Sequence, residues 1–153
     1  MFLVLLETSG NQNYIFSTNK LKENIGASEL TYQAGTKWVL NAVAKVNATN
    51  YLSLWTNEGS RELREKLLNP QLNPAIEKSN LKVEVIIAVS GKALLLVKQE
   101  EEARTIIRQV TKQALKEAPG LDICGVYQEF DWEQAKSLGK AIRQIYKKFE
   151  FVR

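Results

Sequence analysis

Val83-Glu84-Val85-Ile86-Ile87-Ala88-Val89, Ser90-Gly91, Lys92-Ala93-Leu94-Leu95-Leu96-Val97 is the stretch on which the fold turns. Two runs rich in β-branched and aliphatic residues flank a Ser-Gly pair, a pattern that predicts a tight antiparallel hairpin. Its second arm leads into a helical pattern, with apolar Ala103, Ile106, Ile107, Val110 and Ala114 at three- and four-residue steps. Pro119-Gly120 closes that helix. Asp122 to Tyr127 then reads as a strand, and about Trp132 to Phe149 as a terminal helix.

Upstream of the hairpin, residues 2–7 form an apolar run ending in Glu7, as a buried strand would. Ser9-Gly10-Asn11 is turn chemistry, and a short helix is predicted from about Gln12 to Lys22. From Ala27, the residues Leu30, Ala34, Trp38, Ala42 and Val46 recur at helical spacing and predict one long helix. Tyr51 to Trp55 reads as a further strand and Ser60 to Leu68 as a charged helix. Asn69-Pro70 and Asn73-Pro74 then break the chain. Long helical crossovers around a hairpin predict an α+β fold of the ferredoxin-like palm type. The expectation is a mixed, largely antiparallel sheet with helices packed on one face, in a single domain over residues 1–153. Phe151-Val152-Arg153 stops directly after a helix, as the N-terminal piece of a longer protein would.

Composition narrows the chemistry. The chain has 153 residues, 44% hydrophobic and 25% charged, which suits a soluble domain with its own core. It has no histidine, so zinc sites built on imidazole and Ser–His or Cys–His nucleophiles are excluded. The single cysteine, Cys124, rules out an internal disulfide, suits a reducing compartment and reads as an inert core residue. The apolar N-terminal run is too short for a signal peptide, and nothing approaches the roughly 18 apolar residues of a membrane span. The cytoplasm is the expected location. A net charge of +4 is only mildly basic.

Glu7-Thr8-Ser9-Gly10-Asn11-Gln12-Asn13-Tyr14-Ile15-Phe16, followed by Lys20-Leu21-Lys22-Glu23-Asn24-Ile25-Gly26-Ala27-Ser28-Glu29-Leu30, resembles the palm domains of the large CRISPR polymerase/cyclase subunit of type III effector complexes. The pattern there is Asp, a short gap, Gln, Ile-Phe and then Gly-Ala-Ser-Glu-Leu. Val89-Ser90-Gly91-Lys92-Ala93-Leu94-Leu95 is similar to that family's Gly-Gly-Asp-Asp hairpin, and Pro119-Gly120-Leu121-Asp122-Ile123 is similar to the approach to its last strand. The resemblance covers most of the chain except roughly residues 47–80. It implies a palm domain whose acidic groups, at the end of the first strand and in the hairpin turn, would hold two divalent metals.

This chain departs from the pattern at those positions. Lys92 and Ala93 stand where the family has paired aspartates, and Glu7 stands for its first Asp. A lysine puts positive charge where a metal would sit, and Glu7 alone cannot hold a metal pair. The resemblance therefore implies a catalytically degenerate copy, with no catalytic or metal-binding set of its own. It would bind ATP or another nucleotide without magnesium through Glu7, Gly26, Ser28, Gly91 and Lys92. Implied partners are a second palm domain or a second copy of the chain, and an RNA-containing effector complex, in prokaryotic antiviral defence.

Each residue also has a plainer reading. Gly91 is the positive-φ residue of a hairpin turn, Lys92 a solvated turn lysine, Ser28 a helix cap or contact, and Glu7 a strand-end carboxylate paired to a neighbour. Trp38, Trp55 and Trp132 read as core or interface anchors. Lys136, Lys140, Arg143 and Lys147 form a basic stripe, read as the solvated face of the last helix with RNA phosphate as the alternative. Two other functions fit the residues: a nucleotidyl cyclase or oligonucleotide synthetase completed by a partner's carboxylates, and a structural interaction scaffold.

Overall fold

The computed structural model describes every residue except Glu58 and Lys136. Four strands, β1 (Phe2–Ser9), β2 (Val83–Val89), β3 (Lys92–Val97) and β4 (Asp122–Glu129), form one sheet in the order β2-β3-β1-β4. All three neighbouring pairs are antiparallel. Because β3 opposes both β1 and β2, those two run in the same direction with β3 between them. That is the split βαβ arrangement of a ferredoxin-like α+β fold.

The helices are α1 (Asn11–Ile15), α2 (Leu21–Gly35), α3 (Lys37–Asn47), α4 (Ser60–Leu68), α5 (Glu100–Glu117), α6 (Trp132–Ala135) and α7 (Leu138–Val152). Alternation along the strands divides the core in two. Val4 and Leu6, with Val83, Val85, Ala93, Leu95 and Val97, meet α3, α4 and α5 on one face. Leu3, Leu5, Leu94 and Leu96 meet Ala141, Ile145 and Phe149 of α7 on the other. Helices therefore cover both faces rather than one. Both sides of the central strands are leucine-rich, and neither can be left to water without a cost of about 1.5–3 kcal/mol for each large side chain.

Three predicted elements take a different form. Tyr51–Leu54 is a 3-10 turn rather than a strand: Tyr51 and Leu54, three residues apart, both point inward, and the Asn50 carbonyl accepts from the Ser53 amide and hydroxyl. The helix expected over 12–22 stops at Ile15, because Ser17 and Thr18 hydrogen-bond locally to Tyr14 and Lys20. The terminal helix is divided, with the Ser137 hydroxyl capping α7 by accepting from the Lys140 amide.

The long helix predicted from Ala27 also breaks, and its break positions the hairpin. At Gly35 a Cβ would lie 2.0 Å from the Val89 carbonyl oxygen and 2.3 Å from the Lys92 nitrogen, so the end of α2 rests directly on the β2–β3 turn. The next residue, Thr36, is fully buried; its hydroxyl donates to the Tyr32 carbonyl at 2.6 Å and accepts from Trp55 Nε1 at 3.2 Å. The chain changes direction there and starts α3.

The β2 edge is closed by side chains. Asn73 donates to the Val85 carbonyl and accepts from its amide, and Asn47 does the same at Val83. Asn73 also accepts from the Tyr51 hydroxyl, whose pKa is pushed up to about 12, mainly by burial and then by Glu84.

Replacing Gly35 by Ala is expected to cost about 3 kcal/mol, since the obstacle is backbone on two strands. Gly26→Ala, in the same helix with open space around it, should instead stabilise by about 0.5–1 kcal/mol. Urea denaturation of the two variants beside the parent chain measures both signs.

Candidate functional site

The antiparallel register brings the last turn of β1 to the start of β3. Glu7 is paired with Lys92 across the sheet and with Cys124 on the other side. The side chains of Glu7 and Lys92 lie on the face that α7 covers, together with Leu5 and Leu94. Lys92 Nζ is 3.2 Å from Glu7 Oε2, with the two side chains 34% and 24% exposed. The contact is an ion pair rather than an aligned hydrogen bond, because Glu7 Oε2 is closed off from solvent and accepts no hydrogen bond. Tyr146 of α7 completes the cluster, its ring centroid 5.1 Å from the ammonium. Tyr146 is the first cause raising the Lys92 pKa above its ordinary value; partial burial opposes it and Glu7 adds to it.

The neighbouring position behaves differently because strands alternate. Ala93 points to the opposite face and is fully buried in the core beneath α3 and α5. A carboxylate introduced at 93 would therefore enter apolar packing rather than join Glu7.

Gly91 sits at φ +67, and a Cβ there would lie 2.2 Å from Thr8 Oγ1. Its backbone is fully engaged: the amide donates to the Thr31 carbonyl at 2.9 Å, and the carbonyl accepts from the Thr8 amide at 2.8 Å and the Thr8 hydroxyl at 3.2 Å. The close approach that Gly91 permits is that of β1 and α2, so its amide is not directed at a phosphate. Asn11 also reaches this turn, and its Oδ1 is closed off from solvent without a donor.

Glu7, Gly91 and Lys92 are thus brought together, whereas Gly26 and Ser28 lie exposed on α2 and take no part in that cluster's hydrogen bonds or ion pair. Ser28 is one helical turn before Thr31, whose carbonyl holds the hairpin. Beside that turn, an open hollow of about 540 Å³ is lined by Glu29 and Tyr32 of α2, Gly59 and Ser60 at the start of α4, and Val89 and Ser90. None of the five predicted residues lines it.

Sequence reasoning missed Gly35, Thr31 and Tyr146. A glycine inside a helical pattern signals close backbone approach, so Gly35 was findable; the other two depend on which elements pack together. Of the tryptophans, Trp38 is a core residue, Trp55 is partly buried, and Trp132 is 42% exposed, edge-on to Phe130. Cys124 is partly buried against the α7 core. Lys140, Arg143 and Lys147 are exposed along α7, and Lys136 of that stripe lies outside the described residues.

One carboxylate already paired to an ammonium does not fit a pair of divalent metals. Among the described residues, no group of three or more His, Cys, Asp or Glu side chains is placed to hold a metal, and no helix is long and apolar enough to cross a membrane. No protein-family model matches the chain, and no curated protein matches it.

Two outcomes follow from this geometry. The raised Lys92 pKa means that its contribution to stability is complete below its ordinary value of 10.5 and is lost as pH rises through the folded value. Thermal melts from pH 8 to 11.5 should show the parent chain losing its advantage over Lys92→Met only at the alkaline end. Ala93→Asp should cost about 3 kcal/mol or more in urea titration at pH 7, since it buries a charge without a partner.

Proposed function

We propose that this chain is a catalytically degenerate palm-type domain serving as a nucleotide-binding or assembly module rather than as an enzyme. The observation that carries this reading is the Glu7–Lys92 ion pair at 3.2 Å. It neutralises, with a cation from the chain itself, the carboxylate that metal chemistry would need. The ferredoxin-like strand order supports the palm half of the reading. Assignment to the CRISPR polymerase/cyclase type, and so to antiviral defence beside a second palm or a second copy of the chain, rests on the residue resemblance over 7–16 and 20–30.

Within this reading, nucleotide recognition draws on the ammonium of Lys92. Gly91 serves by fixing the turn. A phosphate arriving at Lys92 competes with Glu7 and Tyr146, so affinity is expected in the micromolar range or weaker.

Calorimetric titration with ATP, with and without magnesium, tests it. The expected result is binding that is unchanged by magnesium and reduced at least tenfold in Lys92→Ala. Binding that requires magnesium would overturn the non-enzymatic reading. No heat in either buffer would remove nucleotide binding and leave assembly alone.

A further inference from the structure

A dense run of positive charge lies on two packed helices, α3 and α5. Arg104, Arg108, Lys112 and Lys116 recur every four residues along α5, and all four are exposed. The side-by-side helix α3 contributes Lys37 and Lys45. Neither α3 nor the segment 104–116 contains an acidic residue, so these six cations exceed the net +4 of the whole chain.

Between the helices runs a groove with a hollow of about 310 Å³, floored by Trp38 and Ala42. Lys45, Lys112 and Lys116 rim it, with the amide side chains of Asn41, Gln109 and Gln113 between them. A smaller hollow of about 180 Å³ continues it past Asn41 to Lys37, and the one acidic residue there, Glu117, accepts from the Gln113 amide. Arg104 is engaged with Glu100 and Tyr127 at the far end of the row, which leaves Arg108 to Lys116 as the working stretch. Gln109 Oε1 is closed off from solvent and accepts no hydrogen bond.

We propose that the α3–α5 groove docks the phosphate backbone of single-stranded nucleic acid. The charge sign requires an anion, and the shape requires an extended one. The eight helical steps from Arg108 to Lys116 span about 12 Å, the length of roughly three or four nucleotides at about 3.4 Å each. Lysines act as point charges that follow a backbone without reading bases. The amide nitrogens of Asn41 and Gln109 supply donors for phosphate and sugar oxygens. Trp38 is only 4% exposed and offers no stacking face, so binding is electrostatic and tolerant of sequence. This surface is independent of Glu7 and Lys92.

Fluorescence anisotropy of a labelled oligothymidylate, titrated with the full chain over a series of salt concentrations, tests the proposal. The expected log–log slope is about −2 to −3, from three or four phosphates at about 0.7 each. Lys45→Gln/Lys112→Gln/Lys116→Gln should weaken binding at least tenfold and flatten that slope by about 2. The corresponding Lys→Arg triple variant should retain affinity, and Lys140→Gln/Arg143→Gln/Lys147→Gln on α7 should stay within twofold of the parent. No binding at 25 mM salt (about a 20 Å screening length), or binding unchanged in the groove variant, would overturn it. Equal displacement by polyglutamate at matched charge would assign the groove to an acidic protein instead.

Discussion

The end of α2 lies so close to the β2–β3 turn that only a glycine fits between them. With Gly35 against the Val89 carbonyl and the Lys92 nitrogen, α2 cannot continue in a straight line past the sheet. The turn at Thr36 follows, and α3 is redirected over the first face. The same contact places the Thr31 carbonyl where the Gly91 amide donates to it, and draws Thr8 onto the Gly91 carbonyl. A hairpin turn of two residues is thereby tied to a helix and to the central strand. The amide and carbonyl of Gly91 are both spent on these contacts, which is why the functional weight at Gly91 falls on neighbouring side chains.

That anchoring fixes the register, and the register decides the chemistry. Successive strand residues point to opposite faces, so Lys92 meets Glu7 while Ala93 enters the core. An ion pair with a quarter to a third of each side chain exposed contributes about 0–1 kcal/mol, far less than the leucines on either side of it. Its significance is therefore chemical: it fills a carboxylate position with the chain's own cation. The helix α7 strengthens that choice by bringing Tyr146 to the ammonium and by covering the face on which the pair lies.

The strands of the hairpin, β1 and β4, and the charged helix α4 were legible because each announces itself locally, by β-branched runs, a Ser-Gly turn or bounding prolines. The 3-10 turn at Tyr51–Leu54 was misread because two apolar residues three apart within a short run resemble alternation until a partner strand is sought, and none exists there among the described residues. The break at Thr36 was invisible because the helical period of the apolar residues continues through it. At the candidate site, the palm resemblance groups Glu7 with Gly91 and Lys92, and the β1–β3 register pairs Glu7 with Lys92. Gly26 and Ser28 join them only through the family resemblance, and both lie on the exposed side of α2.

The sequence by itself determined that there is no imidazole, no disulfide and no acidic pair in the hairpin turn, and that an α+β fold is built around that hairpin. These conclusions depend on residue identity and local periodicity, which need no partner. Only the tertiary structure decided that α7 covers the second face, that Ala93 is core, that Gly91 is saturated, and that Lys45 of α3 stands beside Lys112 and Lys116 of α5. Each of those depends on which faces meet across long stretches of chain, and a one-dimensional pattern fixes the faces without fixing their partners.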